Sequence, residues 1–134
     1  MFTVRVDPTS SEPIFEQVAF QVKEAVARGD LQGGDRLPSV RELARELVVN
    51  PNTVVRAYQS LEQDRVIVRR QGAGCFVLDP KPASGEAAAS EPLQDLMRRS
   101  VTEAYHLGFT AADIKRALAR ALDDIQFPKK GKKS

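Results

Sequence analysis

The stretch LPSVRELARELVVNPNTVVRAYQSLE, residues 37–62, contains two short helical patterns that are separated by VVNPN. The first helix is predicted over residues 40–47, because Ser39 can cap its start and Glu42 completes the S-x-x-E pattern of a capping box. The apolar face of this helix consists of Val40, Leu43, Ala44 and Leu47. The stretch therefore begins with a short amphipathic helix whose N-cap is Ser39.

The second helix of the stretch is predicted to begin at Pro51. Asn50 is a favoured N-cap residue, and proline is tolerated at the first helical position because its missing N–H would have no partner there. The inward stripe of this helix consists of Val54, Ala57, Tyr58 and Leu61. Since only residues 48–50 connect the two helices, the pattern predicts a helix-turn-helix pair.

Polar side chains occupy the outward positions at the start of the second helix, namely Asn52, Thr53 and Arg56. A recognition helix places its N-terminal residues at base edges in the major groove of DNA. Asparagine can pair with adenine, threonine can contact a thymine methyl or a phosphate, and arginine can bind guanine through two acceptors. The N–H groups at a helix start also attract phosphates, which applies to Ser39 and Asn50. The alternative is that the asparagines and the threonine only cap the helix and that Arg56 is a solvated charge.

The flanking sequence completes a winged helix-turn-helix. Upstream, residues 13–28 have apolar side chains at the spacing of an amphipathic helix, and the following RGDLQGGD favours turns. Downstream, residues 66–70 and 75–78 are β-rich and flank QGAG, which predicts a hairpin with a glycine-rich tip. Three helices and this hairpin predict a winged helix-turn-helix domain over residues 1–79, mainly α with a small β-hairpin.

The C-terminal part predicts a linker, two helices and a tail. Residues 80–92 are rich in Pro, Ala, Ser and Gly and lack an apolar stripe, which is typical of a linker. Residues 93–127 contain two amphipathic helical patterns, and we expect the basic residues 128–134 to be disordered. Two short helices cannot bury their apolar stripes alone, so they need either the winged domain or a second copy of the chain. We assign this region to dimerisation through Leu93, Leu96, Met97, Val101, Tyr105, Phe109, Ile114, Leu118 and Leu122.

Composition argues against several other classes of protein. The 134 residues include 20 Lys and Arg and 18 Asp and Glu, so the net charge of +2 does not itself demand a nucleic acid partner. No stretch is long and apolar enough for a membrane span, and we expect a cytoplasmic protein that does not contact a membrane. With one cysteine, Cys75, and one histidine, His106, we expect no disulfide, no metal and no cofactor. No nucleophile and base can be paired by motif, so we expect no enzyme activity.

The segment GGDRLPSVRELARELVVNPNTVVRAYQSLE followed by GAGCFV resembles the N-terminal domain of the GntR family of bacterial transcription regulators. The resemblance covers residues 14–77 and includes the entry turn, both helices and the wing in order. The remainder is too short for the large C-terminal domains of most subgroups, and its two helices look like those of the short YtrA-like subgroup, in which they dimerise. The resemblance implies a homodimeric regulator, with repression as the favoured activity, that binds double-stranded DNA at a two-fold symmetric operator.

The resemblance also implies roles for individual residues. Arg41 would contact the DNA backbone or a base, and Gly72 and Gly74 would bring the wing close to the minor groove. The full set expected at the DNA is Arg36, Ser39, Arg41, Asn50, Asn52, Thr53, Arg56, Gly72 and Gly74. Two positions depart from the family pattern: Arg65 stands where glycine usually follows the third helix, and Cys75 stands where threonine usually follows the wing glycines. The first departure leaves the conformation of that turn open.

The competing class is an interaction module whose winged helix binds protein or RNA, because this fold does not fix function. A steep salt dependence and a preference for one sequence would distinguish a reader of duplex DNA from such a module. The residues do not reveal the operator sequence, the regulated genes or any small-molecule effector. A sensing role for Cys75 or His106 is equally open.

Overall fold

The computed structural model describes residues 2–79 and 91–127, and these contain five helices and one hairpin. The chain divides into two compact units, Met1–Pro80 and Lys81–Ser134. The elements are α1 (Ile14–Arg28), α2 (Val40–Leu47), α3 (Pro51–Gln63), β1 (Ile67–Arg70), β2 (Gly74–Val77), α4 (Glu91–His106) and α5 (Ala111–Asp123). The predicted fold class, a winged helix-turn-helix with two further helices, is confirmed.

The core of the N-terminal unit lies where α1 and α2 pack against α3. All four residues of the predicted α3 stripe are buried, and Val54, Ala57 and Leu61 have no exposed surface. On α2, the central Leu43 and Ala44 are buried, whereas the predicted apolar residues at its two ends are half-buried. Burial of the α3 stripe fixes the rotation of this helix, so its remaining faces point outward.

Both helices of the predicted pair begin at their predicted caps. The Ser39 Oγ atom accepts a hydrogen bond from the Glu42 backbone N–H at 3.1 Å, and Glu42 Oε1 accepts one from the Ser39 backbone N–H at 2.9 Å. The Asn50 Oδ1 atom accepts a hydrogen bond from the Asn52 backbone N–H at 2.8 Å, with proline at the first helical position. The capping box and the asparagine cap are therefore confirmed, and they set the length of the turn between the helices.

Two glutamines of α1 hold the N-terminal segment against the helix. Gln21 pairs with the backbone N–H and C=O of Arg5. The buried Gln17 accepts a hydrogen bond from the Asp7 N–H at 2.7 Å and donates to the carbonyl oxygens of Asp7 and Glu12 at 3.0 and 2.8 Å. The two side chains satisfy backbone groups of this extended segment in the way that a neighbouring strand would.

The hairpin is antiparallel, with Ile67 opposite Val77 and Arg70 opposite Gly74. The segment before α2 adds to its free edge, because the Leu37 N–H donates to the carbonyl of Cys75 at 2.9 Å and the Val77 N–H donates to that of Asp35 at 2.8 Å. An isolated bridge between Arg36 and Phe76 lies within this pairing. Residues 35–37, which lead into α2, are thus hydrogen-bonded to the free edge of the hairpin.

The C-terminal unit consists of α4, a turn at Gly108 and α5. Glu91 and Pro92, which composition assigns to the linker, lie in the first turn of α4, where proline is tolerated. Thr110 and Asp113 form a second reciprocal capping box, at the start of α5. Residues 80–90 of the predicted linker and the predicted tail, 128–134, lie outside the described residues. Within the two described ranges, no helix is long and apolar enough to cross a membrane.

Candidate nucleic-acid interface

The start of α2 is held from two sides. The Tyr58 hydroxyl, which projects from the buried face of α3, donates a hydrogen bond to the carbonyl oxygen of Pro38 at 2.7 Å. The adjacent Leu37 N–H is bonded to the wing, as described above. Burial raises the pKa of Tyr58 above its ordinary value, so the hydroxyl keeps its proton and remains a donor. The N-terminus of α2 is therefore fixed relative to both α3 and the wing.

Ser39 and Arg41 stand on this fixed turn and are both exposed. The Ser39 oxygen accepts the capping bond, but its O–H remains a donor that can reach an external acceptor. The same box lowers the pKa of Glu42, mainly through the Ser39 backbone N–H and then through the Ser39 side chain. The carboxylate therefore stays ionised and satisfies a backbone donor at the helix start.

The first turn of α3 presents the predicted polar face. Asn50 caps α3, as the alternative interpretation expects. Only its side-chain oxygen is used in the cap, so the N–H donors of the amide are free for an external acceptor. Asn52 and Arg56 are exposed and four positions apart on the helix, while the half-buried Thr53 lies between them. The structure thus brings the predicted reading residues of α3 onto one surface.

Arg56 is exposed, as the alternative interpretation also expects, but its guanidinium contacts an aromatic ring. Its Cζ atom lies 4.0 Å from the centroid of the Phe15 ring, in the geometry of a cation–π interaction. Phe15 lies on α1, and its spacing in the sequence predicts only an apolar position of that helix. The two residues are far apart in the sequence, so no local pattern could have revealed this contact.

The wing is shaped by glycine and lined by arginine. Gly72 and Gly74 have φ values of 77° and 113°, which residues with a side chain rarely adopt. A Cβ atom on Gly74 would lie 3.0 Å from the Arg36 Nε atom, so the missing side chain also makes room for that arginine. On the wing, the Arg70 Cζ atom lies 5.2 Å from the centroid of the Phe76 ring. Sequence reasoning placed Arg36 at the DNA but missed the stacked pair on the wing.

Seven exposed arginines of this unit lie on or next to the elements just described. Exposed arginines on or next to α2, α3 and the hairpin are Arg36, Arg41, Arg45, Arg56, Arg65, Arg69 and Arg70. Salt bridges join Lys23 to Asp64 and Arg28 to Glu24, and none in the described ranges involves the seven arginines. These side chains keep their charge available for an external anion such as phosphate.

Comparison with known proteins agrees with this geometry. The family of bacterial regulatory proteins called the gntR family matches residues 14–77. The HTH-type transcriptional repressor YtrA of Bacillus subtilis is 31% identical over 127 residues, which cover 95% of this chain and 98% of YtrA. The HTH-type transcriptional regulator Rv1152 of Mycobacterium tuberculosis is 40% identical over 123 residues, covering 90% and 95% of the two chains. The chain belongs to the GntR family.

Within the GntR family, the full-length match to YtrA and the two short C-terminal helices assign the chain to the YtrA-like subgroup. A crystal structure described as a transcriptional antiterminator from Listeria monocytogenes EGD-e has a TM-score of 0.77 and 30% identity, with 98% of both chains covered. The protein is accordingly a DNA-binding transcriptional regulator and not an enzyme.

The two departures from the GntR pattern have different consequences. Arg65 has a φ of 60°, so the turn after α3 keeps the left-handed conformation that the usual glycine allows. Cys75 is half-buried in β2 opposite Arg69 and packs against the core, as the small side chain of a strand does. In the part of the chain that the structure describes, no group of three or more His, Cys, Asp or Glu residues could hold a metal ion.

The C-terminal helices of this GntR protein have no buried residue along α4 or α5. Seven of the nine predicted dimerisation residues are exposed: Leu93, Leu96, Val101, Tyr105, Phe109, Leu118 and Leu122. The other two, Met97 and Ile114, are half-buried. Leu107 and Phe127 are also exposed apolar residues of this unit, and the helical stripes did not include them.

Proposed function

We propose that the protein is a homodimeric repressor that binds a two-fold symmetric operator, with α3 in the major groove of each half-site. The observation that carries this proposal is the outward face of α3, where Asn52, Thr53 and Arg56 lie together beside a fixed α2 terminus. Each of these side chains can hydrogen-bond to a base edge, and Arg56 has the donor pair that guanine accepts. A helix with this face exposed is suited to direct readout of a sequence.

The neighbouring groups supply the contacts that orient the protein on DNA. Arg36, Ser39 and Asn50 have exposed donors near the starts of α2 and α3, where helix termini favour phosphate. Arg41 would extend from α2 to the DNA backbone or to a base. Gly72 and Gly74 would let the wing approach the minor groove, because their positive φ values favour glycine and glycine has no side chain to keep the backbone at a distance.

Dimerisation through α4 and α5 is the second part of the proposal. Both helices carry apolar faces that are exposed in the single chain. A second copy of the chain is the occupant we propose, since a symmetric operator requires two readers at a fixed spacing. The two copies together would place their α3 helices about one helical turn of DNA apart or slightly more.

Repression would follow from occupation of promoter DNA. It is supported by the repressor name of the Bacillus subtilis relative, which matches nearly the whole chain. Because the proposed partner is DNA, we place the protein in the cytoplasm.

The reading role of α3 is tested by Arg56→Ala. We expect affinity for the operator to fall by about 1–3 kcal/mol, because a bidentate base contact is lost. Arg28→Ala is the matched control, since Arg28 is an exposed arginine at the C-terminal end of α1 and is not one of the residues expected at the DNA. Equal binding by Arg56→Ala and the unmodified protein would remove Arg56 from the recognition surface. The loss of the Phe15 contact adds a small cost in stability, so urea unfolding is measured alongside.

The dimer is tested by Leu118→Asp, which places a charge on the exposed apolar face of α5. We expect sedimentation to show a monomer with weaker operator binding, because the gain from linking two readers is lost. Ala119→Asp is the matched control, since Ala119 is exposed on the same helix but is not one of the predicted interface residues. A Leu118→Asp chain that remained dimeric would move the interface away from this face.

A second candidate is binding to RNA through the same winged domain. It is favoured by the structural neighbour from Listeria monocytogenes, which is described as a transcriptional antiterminator. Competition between duplex DNA and single-stranded RNA for the protein distinguishes the two. Tighter binding to RNA at every salt concentration would favour this candidate over the operator proposal.

A further inference from the structure

Phe15 links α1 to the proposed reading surface. It lies outside the helix-turn-helix, near the start of α1, and its half-buried side chain packs against the core. The packed side holds the ring in place. The Arg56 guanidinium lies over the ring, with Cζ 4.0 Å from the ring centroid.

The stack leaves the N–H donors of Arg56 free to bind nucleic acid. A guanidinium stacks through its flat face, whereas its five N–H donors point outward in its plane. Among the described residues, Arg56 has no salt bridge and no side-chain hydrogen bond that would occupy these donors. Phe15 therefore restricts the side chain without competing for its hydrogen bonds.

We propose that Phe15 is a positioning residue for DNA recognition, which holds the Arg56 guanidinium over its ring and so orders the donor pair before DNA is bound. This inference rests on the proposed function. A long arginine side chain loses conformational freedom when it binds, and a stack that is present in the free protein removes part of that cost. Phe15 thus contributes to affinity and base preference without touching DNA.

A purely structural role for Phe15 makes a different prediction. If the ring only fills the core, its loss weakens DNA binding by the same factor whether or not Arg56 is present. If it acts through the guanidinium, its loss has no further effect on DNA binding once the guanidinium is gone. A double-mutant cycle separates these cases, because it measures the coupling between the two side chains.

The experiment first selects an operator from random duplex DNA with the full chain and then measures the Kd of variants on that operator. The variants are Phe15→Leu, Phe15→Tyr, Arg56→Ala and the double variant Phe15→Leu/Arg56→Ala. Phe20→Leu is the matched control, because Phe20 lies on the same helix, is 59% exposed and forms no cation–π pair among the described residues.

We expect Phe15→Leu to weaken binding about fivefold, and by less than about twofold when Arg56 is already alanine. Phe15→Tyr retains a ring and should bind as the unmodified protein does, and Phe20→Leu should do the same. Phe15→Leu should also weaken the preference for the selected base at one position of each half-site. If Phe15→Leu does not fold, Phe15→Met keeps the apolar bulk and takes its place in the cycle.

Equal weakening by Phe15→Leu in both backgrounds would overturn the positioning role and leave the operator proposal standing. Equal weakening by Phe20→Leu would overturn it in the same way. Failure of the unmodified protein to select any sequence would overturn the proposed function and, with it, this inference. The selection step therefore distinguishes the two failures before any variant is compared.

Discussion

Val48 occupies a conformation that is costly for its side chain. It ends α2 with φ 56° and ψ 53°, in the left-handed region, and its β-branched side chain is 89% exposed. This conformation costs an ordinary residue about 1–2 kcal/mol, and a β-branched residue is a clear outlier there. Val48→Gly removes that strain, while the added freedom of glycine in the unfolded chain costs about 0.5–1 kcal/mol. Since little packing is lost at an exposed position, the net expectation is a gain of about 0.5–1 kcal/mol in the free energy of unfolding.

The assay is urea unfolding at one fixed protein concentration, because the proposed dimer would make apparent stability depend on concentration. Arg65→Gly is the matched comparison, since Arg65 is exposed at a φ of 60° but is not β-branched, and we expect it to gain less. A lower unfolding midpoint for Val48→Gly at an unchanged slope would refute the reasoning. It would mean that the valine side chain contributes a contact worth more than the backbone strain.

Two further predictions concern the start of α2. Tyr58→Phe leaves the Pro38 carbonyl without its partner, so we expect the free energy of unfolding to fall by about 1–3 kcal/mol, and an unchanged urea midpoint would contradict this. The pKa of Glu42 lies below its ordinary value of 4.5 because of the hydrogen bonds from Ser39, so its contribution to stability is present above pH 4.5 and is lost as the pH falls through the lowered value. Glu42→Gln should therefore lose less stability on acidification than the unmodified protein, and parallel curves of stability against pH would argue against the role of this carboxylate.

The helix-turn-helix could be predicted because its signals are local. Ser39 and Glu42, and likewise Asn50 and Pro51, stand at spacings that a helix start requires whatever the rest of the chain does. The stripe of α3 is equally local, since the period of the helix decides which positions turn inward. These features alone were enough to predict which face of α3 would be exposed.

The side-chain contacts between distant parts of the chain could not be predicted from local spacing. Phe15 reads as one apolar position of an amphipathic helix, and no spacing relates it to Arg56. Gln17 reads as a polar residue on the edge of an apolar stripe, yet it is buried because it bonds to backbone groups of the N-terminal segment. The left-handed conformation of Val48 runs against the preference of a β-branched residue, and it accompanies a hydrogen bond from the Val49 N–H to the carbonyl of Ala44 at 3.0 Å.

The central claim, that the outward face of α3 reads one DNA sequence, is tested most directly by selection from a random duplex DNA pool with the full chain. The account predicts recovery of a single motif with two-fold symmetry, and a distance between half-sites of about one helical turn or slightly more. It also predicts a steep loss of binding as salt is raised. Retention of DNA without any enriched motif would contradict the claim, because the exposed arginines would then provide only charge-driven attachment.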